Sequence, residues 1–320
     1  MDRVVADVLR VTALVVTVAL AACGEAETAP PADTAGDAPA TEAGNLAPRS
    51  YERNFVFAAL DGESVFMVPW MIQTDEYSDT VVREAQGWLA RGGIWEAFYA
   101  ERWETPPTRN PARVLPHRSL SFVVREGDAI DGIVFEEGPR SLELVLGEVH
   151  ATWSGARGEA FEVIAGAAYL SDQRVDGLIL DMSRASTADG PPGGDWALLL
   201  SGDSARFFFA ADSEYGGDAE PIYRGWADLE DRELQWPAVR VDWESTQAFP
   251  PARRDVPVAW RVWSDDGTLE GELEAVSAEI QPGSGPGPLL PVLALFEVAG
   301  TVATDEGNFP VRGLLVHERR

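Results

Sequence analysis

The side chains suited to acid–base or metal chemistry are widely spaced along this chain, with the exception of carboxylates. There are three histidines, His117, His150 and His317, each within or beside a predicted strand. A zinc site built from them would need carboxylate ligands, and their spacing matches no common zinc motif. We therefore predict structural or surface roles for these histidines, and we expect neither a metal nor another cofactor.

Carboxylates are abundant enough to form clusters anywhere in the fold. The loop at 212–220 carries four acidic residues of the kind that bind Ca²⁺. Asp172, Asp176 and Asp181 lie around one predicted strand and resemble the carboxylate pairs that glycoside hydrolysis needs. Because the chain has 53 acidic residues, chance and solvation explain both clusters more simply.

Tryptophan is the more informative residue type, with eleven in the chain. Trp88, Trp95 and Trp103 lie in the segment with the weakest strand pattern, whereas five others crowd the second half. Tryptophan offers a large apolar face with one hydrogen-bond donor, and loops and lids often carry function. We predict that Trp88, Trp95 and Trp103 line a lid or cavity wall that binds a ligand, and that most of the second group is core.

The only cysteine, Cys23, follows the apolar run Val11–Leu20 and the small residues Ala21 and Ala22. Ten apolar residues are half of the roughly 20 that a membrane-spanning helix needs. The segment resembles the lipobox of bacterial lipoproteins, which implies that residues 1–22 are a signal peptide and that Cys23 carries the palmitate-bearing lipid anchor. Gly24, in place of an aspartate after the cysteine, favours the outer membrane of the cell envelope, facing the periplasm or the exterior.

Composition excludes several kinds of chemistry and partner. A lipidated Cys23 leaves no thiol for a disulfide, a metal site or a nucleophile, and the absence of lysine excludes Schiff-base chemistry. A net charge of −28 repels phosphate backbones and anionic lipid surfaces. We therefore expect no nucleic-acid partner, and we expect membrane contact only through the anchor.

The predicted elements are almost all strands. Residues 23–48 hold the lipidated cysteine and an Ala/Pro/Glu-rich tether that cannot bury enough apolar surface to fold. From Phe55 onward, period-two alternation and hairpin turns such as Asp61-Gly62 predict an all-β, mostly antiparallel fold. The exception is a short helix predicted near residues 80–90, because Val81, Ala85 and Trp88 have helical spacing.

The Gly/Pro-rich segment 186–195 separates two predicted β domains, residues 49–188 and 195–320. Each is expected to be a lipocalin-like barrel or a sandwich. Within one predicted strand the apolar face changes phase near Ala275, which predicts a β-bulge there.

The C-terminal residues resemble a known superfamily. The run Phe296–Val302, the turn Asp305–Gly307, the segment Pro310–Gly313 and Glu318 are similar to the end of the lipocalin-like carotenoid hydratases, hydroxyneurosporene synthase and its relatives. This resemblance implies two lipocalin-like barrels around an apolar cavity. Leu315 stands where those proteins usually have a glycine, so no catalytic residue is carried over.

These observations lead to three functional hypotheses. The first is an envelope lipoprotein that binds an apolar or amphipathic small molecule in a β-lined cavity without catalysis. The second is a hydratase-like enzyme acting on a lipid-like substrate through a buried Asp or Glu. The third is a carbohydrate-binding or glycan-cleaving lipoprotein. A closed apolar cavity would favour the first, a buried carboxylate with apolar walls the second, and an open groove of exposed tryptophans and acids the third.

Overall fold

Alternating apolar and polar residues form long strands, and all neighbouring strands in the described part of the chain pair antiparallel. The all-β prediction is therefore confirmed. The structure is a computed structural model, and it describes residues 49–126, 129–155, 158–171, 173–186, 193–202, 205–212, 222–230 and 232–319.

The first sheet has nine strands in the order β4-β3-β2-β1-β9-β8-β7-β6-β5. It is curled, because Phe98 on β4 and Phe135 on β6 have ring centroids only 4.9 Å apart although their strands are distant in the sheet. The concave face holds a core of aromatic and aliphatic side chains. The strands are β1 Arg49–Asp61, β2 Ser64–Glu76, β3 Val81–Arg91, β4 Ile94–Thr105, β5 Leu120–Val124, β6 Ile130–Glu137, β7 Arg140–Ser154, β8 Ala160–Leu170 and β9 Gln173–Ser186.

The second sheet is a closed barrel of eight strands, in which the last strand, β17, pairs back to the first, β10. Its interior is a second apolar core. A short 3₁₀ turn, Pro250–Ala252, joins two of the strands. The strands are β10 Trp196–Ser201, β11 Ala205–Ala211, β12 Tyr223–Leu229, β13 Arg232–Phe249, β14 Arg254–Trp263, β15 Leu269–Pro282, β16 Val292–Thr304 and β17 Gly307–Arg319.

Two local predictions in these strands are confirmed. The pairing of β15 with β16 shifts register between Ala275 and Ser277, where the change of apolar phase predicts a bulge. The Asp61-Gly62 turn joins β1 to β2 in a tight hairpin, and Gly62 has a positive φ of 63°.

The helix predicted near residues 80–90 is wrong, because these residues form strand β3. Both faces of β3 are buried: Ala85 packs in the concave core, whereas Trp88 packs in the cluster on the opposite face. Apolar residues at both odd and even positions obscure the period-two pattern and produce helical spacing by coincidence.

The convex face of the first sheet packs against the outside of the barrel. Phe161 on β8 contacts Phe208 and Trp226 of the barrel, with ring centroids 4.8 and 5.2 Å apart. The described strands belong to one compact unit, Asn45–Arg320. Whether the segments 49–188 and 195–320 fold as separate domains remains a prediction.

A hydrogen-bond chain crosses this interface beside the apolar contacts. Trp95 Nε1 donates to Ser277 Oγ at 3.0 Å, and Ser277 donates to Glu297 Oε2 at 3.0 Å. The other oxygen of this buried carboxylate accepts the backbone N–H of Val65 at 3.1 Å. The Glu297 carboxylate thus has a hydrogen-bond partner for each of its oxygens within the interface.

The residues of the predicted signal peptide, Cys23 and the tether, 1–48, lie outside the described part of the chain. Within the described part, no helix has the length and apolar character needed to cross a membrane. The lipid anchor therefore remains a prediction from the sequence.

Candidate functional site

Barrel closure brings Asp195 and His317 together at one end of the barrel. Because β10 pairs with β17, and Trp196 lies opposite Val316, Asp195 just before β10 reaches His317 near the end of β17. His317 Nδ1 and Asp195 Oδ2 are 2.9 Å apart, although the residues are 122 positions apart in the sequence.

This imidazole–carboxylate pair is shielded from water. His317 is fully buried, and the Asp195 side chain is 13% exposed. Asp195 Oδ1 also accepts the backbone N–H of Glu318 at 3.0 Å, so two successive residues of β17 hold the carboxylate. His317 Nε2 is buried and has no hydrogen-bond partner among the described residues. When Nδ1 donates to Asp195, Nε2 is the atom that can accept or release a proton.

Tyr223, at the start of β12, completes the buried cluster. Its hydroxyl donates to Asp195 Oδ2 at 3.2 Å. Burial, and next the negative charge of Asp195, raises the pKa of Tyr223 well above its ordinary value. Tyr223 is therefore a neutral hydrogen-bond donor at physiological pH.

A cleft of about 530 Å³ opens beside this cluster, within the size range of small-molecule sites. Trp243 connects the two, because it lines the cleft and its ring lies edge-on to His317 with centroids 5.3 Å apart. The lining residues are Tyr223, Arg240, Val241, Asp242, Trp243, Trp263 and Arg319.

The barrel interior below the cleft is filled by side chains. Trp260 and Phe296 pack edge to face there, with centroids 5.2 Å apart. A void of only about 20 Å³, bounded in part by Asp195 and Tyr223, remains in this region. In the described part of the barrel, a ligand of ordinary size therefore has room at the mouth of the barrel and not within it.

The structure does not bring Trp88, Trp95 and Trp103 together. All three lie on strands β3 and β4, not in a loop. Trp88 is 1% exposed and packs in the cluster between sheet and barrel, and Trp95 is half-buried at the edge of the same cluster. Trp103 lies on the concave side, stacked on the His117 ring at 4.3 Å. Their predicted role in ligand binding stays a prediction.

The other residues considered in the sequence are dispersed. His150 is exposed on β7, Asp176 pairs with Arg174, and Asp181 pairs with Arg53 at 2.8 Å. Asp172 and positions 213–221 of the acidic loop lie outside the described residues. Within the described ranges, no group of three or more His, Cys, Asp or Glu side chains is placed to hold a metal ion.

Sequence reasoning did not find the Asp195–His317–Tyr223 cluster. Asp195 falls at the end of a segment interpreted as a linker, and His317 lies in a strand near the end of the sequence. One signal was present in the sequence. In the alternating pattern of β17, His317 falls at an inward-facing position, and an ionisable side chain that is buried needs a hydrogen-bonding or charged partner. The identity of that partner depends on barrel closure.

Comparison with known proteins gives a fold and no family. No protein-family model matches the chain, and no curated protein sequence matches it. Two solved structures are similar in fold. An AttH-type protein of Nitrosomonas europaea has a TM-score of 0.56 at 12% identity, over 85% of this chain and 94% of its own. Kievitone hydratase from Nectria haematococca has a TM-score of 0.53 at 10% identity, over 86% of this chain and 90% of its own. At these identities the likeness shows the lipocalin-like β fold alone.

Proposed function

We propose that this protein is a lipid-anchored envelope protein that binds an amphipathic small molecule at the mouth of its barrel and adds water across a carbon–carbon double bond. The observation that carries the proposal is the pair of His317 and Asp195, 2.9 Å apart, in which the buried Nε2 of His317 has no hydrogen-bond partner among the described residues, and Trp243 beside it lines the cleft. The Asp195 carboxylate, 13% exposed and held against the His317 imidazole, is the feature that favours an enzyme over a carrier. The name of one structural neighbour, a hydratase, is consistent with this chemistry.

The reaction requires only general acid–base groups. In the proposed step, the imidazolium form of His317 donates its Nε2 proton to one alkene carbon, and the other carbon becomes electron-poor. Water bonds to that carbon and loses a proton to Nε2, which restores the imidazolium. One water is consumed and no electrons are transferred to or from a cofactor. Asp195 stabilises the charged imidazole and fixes its orientation.

Two aromatic side chains of the cleft support a second candidate, binding without catalysis. Trp243 and Trp263 present aromatic surface that can hold the apolar part of a ligand. Glycan cleavage has less support, because Asp242 is the one carboxylate among the described residues that line this cleft. Glycoside hydrolysis ordinarily needs a pair of carboxylates about 5–10 Å apart.

The test uses citronellol, whose trisubstituted alkene yields the stabilised tertiary cation when protonated. The purified full chain should convert citronellol to the product with one added water, measured by mass spectrometry. Replacing His317 by Gln should lower the rate by about 100-fold or more, because it removes the acid. His117→Gln, at the histidine stacked on Trp103, is the matched control and should react normally. A rate unaffected by His317→Gln would refute the assigned chemistry, and binding without turnover would favour the carrier.

The anchor requires a separate experiment. Cys23→Ala should abolish incorporation of labelled palmitate and should leave the protein out of the detergent phase. Continued labelling of this variant would show that the lipid is attached elsewhere or that the signal assignment is wrong.

A further inference from the structure

Six arginines in the described residues stack on aromatic rings, and five of them also pair with a carboxylate. The exception is Arg319, whose guanidinium lies 4.8 Å from the ring centroid of Trp243 and forms no ion pair with any described residue. The five paired arginines are Arg53 with Asp181, Arg91 with Asp61, Arg140 with Glu96, Arg174 with Asp176 and Arg261 with Glu270.

What distinguishes Arg319 is its place: it lines the cleft, stacked on Trp243, and has no ion pair with a described residue. Stacking on Trp243 occupies the face of the guanidinium and leaves its N–H edge available. That edge is a planar fork of donors that matches the two oxygens of a carboxylate. Arg319 is thus oriented for a carboxylate that the described part of the protein does not supply.

The position of Arg319 connects it to the cleft and to the buried pair. Arg319 lines the cleft, and the Trp243 ring beneath it also contacts His317. Its positive charge is close enough to Tyr223 to act against the rise in the pKa of that hydroxyl. Arg319 and His317 thus contact the same Trp243 ring, which connects a ligand held at Arg319 to the buried pair.

We propose that Arg319 binds the carboxylate head group of an amphipathic substrate, whose apolar, unsaturated part lies against Trp243 and Trp263. This inference rests on the proposed function, because it names the substrate class of the same site. Arg240 also lines the cleft and adds positive charge, with its nearest carboxylate, Asp265, 3.5 Å away. Asp242, which is exposed and also lines the cleft, repels anions, so selectivity for a carboxylate ligand depends on Arg319.

The test compares two ligands that differ only in the head group: citronellate and citronellol share one carbon skeleton and one alkene. Binding to the full chain in detergent is measured by isothermal titration calorimetry, with detergent alone as the blank. The wild type should bind citronellate more tightly than citronellol. Arg319→Gln should weaken citronellate by about 10- to 100-fold, the range for lost charge-assisted hydrogen bonds, and should change citronellol by less than about twofold.

Arg174→Gln is the matched control, because Arg174 also stacks on an aromatic ring, that of Tyr169, but lies in the first sheet. It should leave both affinities unchanged. The inference is wrong if the wild type does not prefer citronellate, or if Arg319→Gln weakens both ligands equally or neither.

Failure of the inference and failure of the proposed function have different signatures. If both alkenes are hydrated equally well and Arg319→Gln has no effect, the head-group assignment fails while the hydratase assignment stands. If citronellate binds in an Arg319-dependent way and is never hydrated, the hydratase assignment fails while the head-group assignment stands.

Discussion

Burial of Tyr99 controls how the stability of the first sheet responds to alkaline pH. Burial, followed by the negative charge of Glu101, raises the pKa of Tyr99 from 10.0 to about 12. Its hydroxyl donates to the carbonyl oxygen of His117 at 2.8 Å, tying strand β4 to the segment that leads into β5. Because the folded pKa is above the unfolded one, the folded state retains the proton longer, and stability falls as pH rises from about 10 to about 12.

We therefore predict that Tyr99→Phe lowers the free energy of unfolding by about 1 kcal/mol at pH 7, where a hydrogen bond is lost. Above pH 10 this deficit should shrink, because the variant has no hydroxyl to ionise. Urea unfolding at pH 7 and at pH 11 measures both effects. Tyr77→Phe, at a side chain 46% exposed, is the control and should follow the wild type at both pH values. If Tyr99→Phe lowered the free energy of unfolding equally at both pH values, the raised pKa of Tyr99 would be contradicted.

The three tryptophans predicted to line a cavity differ in burial, and this difference predicts different costs. Trp88 is 1% exposed in the cluster between sheet and barrel, so Trp88→Ala should cost about 3–5 kcal/mol of folding free energy. Trp103 is only half-buried on His117, so Trp103→Ala should cost clearly less. Thermal melts compare the two. If Trp103→Ala instead weakens ligand binding with little change in stability, that result would support the prediction that Trp103 lines a cavity wall.

At the level of elements, two glycines set how closely the barrel strands approach. A Cβ at Gly313 would lie 1.9 Å from the carbonyl oxygen of Leu198, and one at Gly300 would lie 1.9 Å from that of Glu272. Both glycines belong to the C-terminal segment that resembles the carotenoid hydratases. Their physical role here is to allow backbone contact between β17 and β10 and between β16 and β15.

We predict that Gly313→Ala disrupts the pairing that closes the barrel. The new methyl group meets backbone, which cannot move without separating β10 from β17, so the loss should be several kcal/mol or a failure to fold. Gly285→Ala is the control, because its added Cβ would meet nothing closer than 3.9 Å. Amide hydrogen exchange would locate the damage: early loss of protection in β10 and β17 is expected, and uniform loss throughout the barrel would count against local opening.

At the level of the whole described unit, one apolar cluster is shared by the sheet and the barrel. It includes Val56 and Phe161 from the sheet and Leu198, Phe208 and Leu314 from the barrel, all buried. If the first sheet and the barrel separated, each would expose part of this surface to water. The loss of stabilising free energy would be roughly 25 cal/mol for each Å² of apolar area exposed. The two sheets should therefore stabilise one another.

This sharing predicts a single cooperative unfolding transition for the full chain, with near-ultraviolet and far-ultraviolet circular dichroism changing together. The isolated segment 195–320 should aggregate or bind hydrophobic dyes, because its outer face would be uncovered. Two separate transitions, or a soluble and well-folded 195–320 fragment, would instead establish independent domains.

The amino-acid sequence by itself determined the fold class, most strand positions and the bulge near Ala275. These features depend on local periodicity and turn chemistry, which the order of residues expresses directly. The same logic failed at 80–90, because β3 is buried on both faces and burial by a distant sheet leaves no local pattern.

The candidate site was decided by tertiary structure alone. Asp195 and His317 meet because the barrel closes between β10 and β17, which joins the two ends of a long segment. Trp243 and Arg319 become neighbours through the same closure. No spacing rule links residues that are paired by closure, so the chemistry of this protein becomes visible only when the barrel is complete.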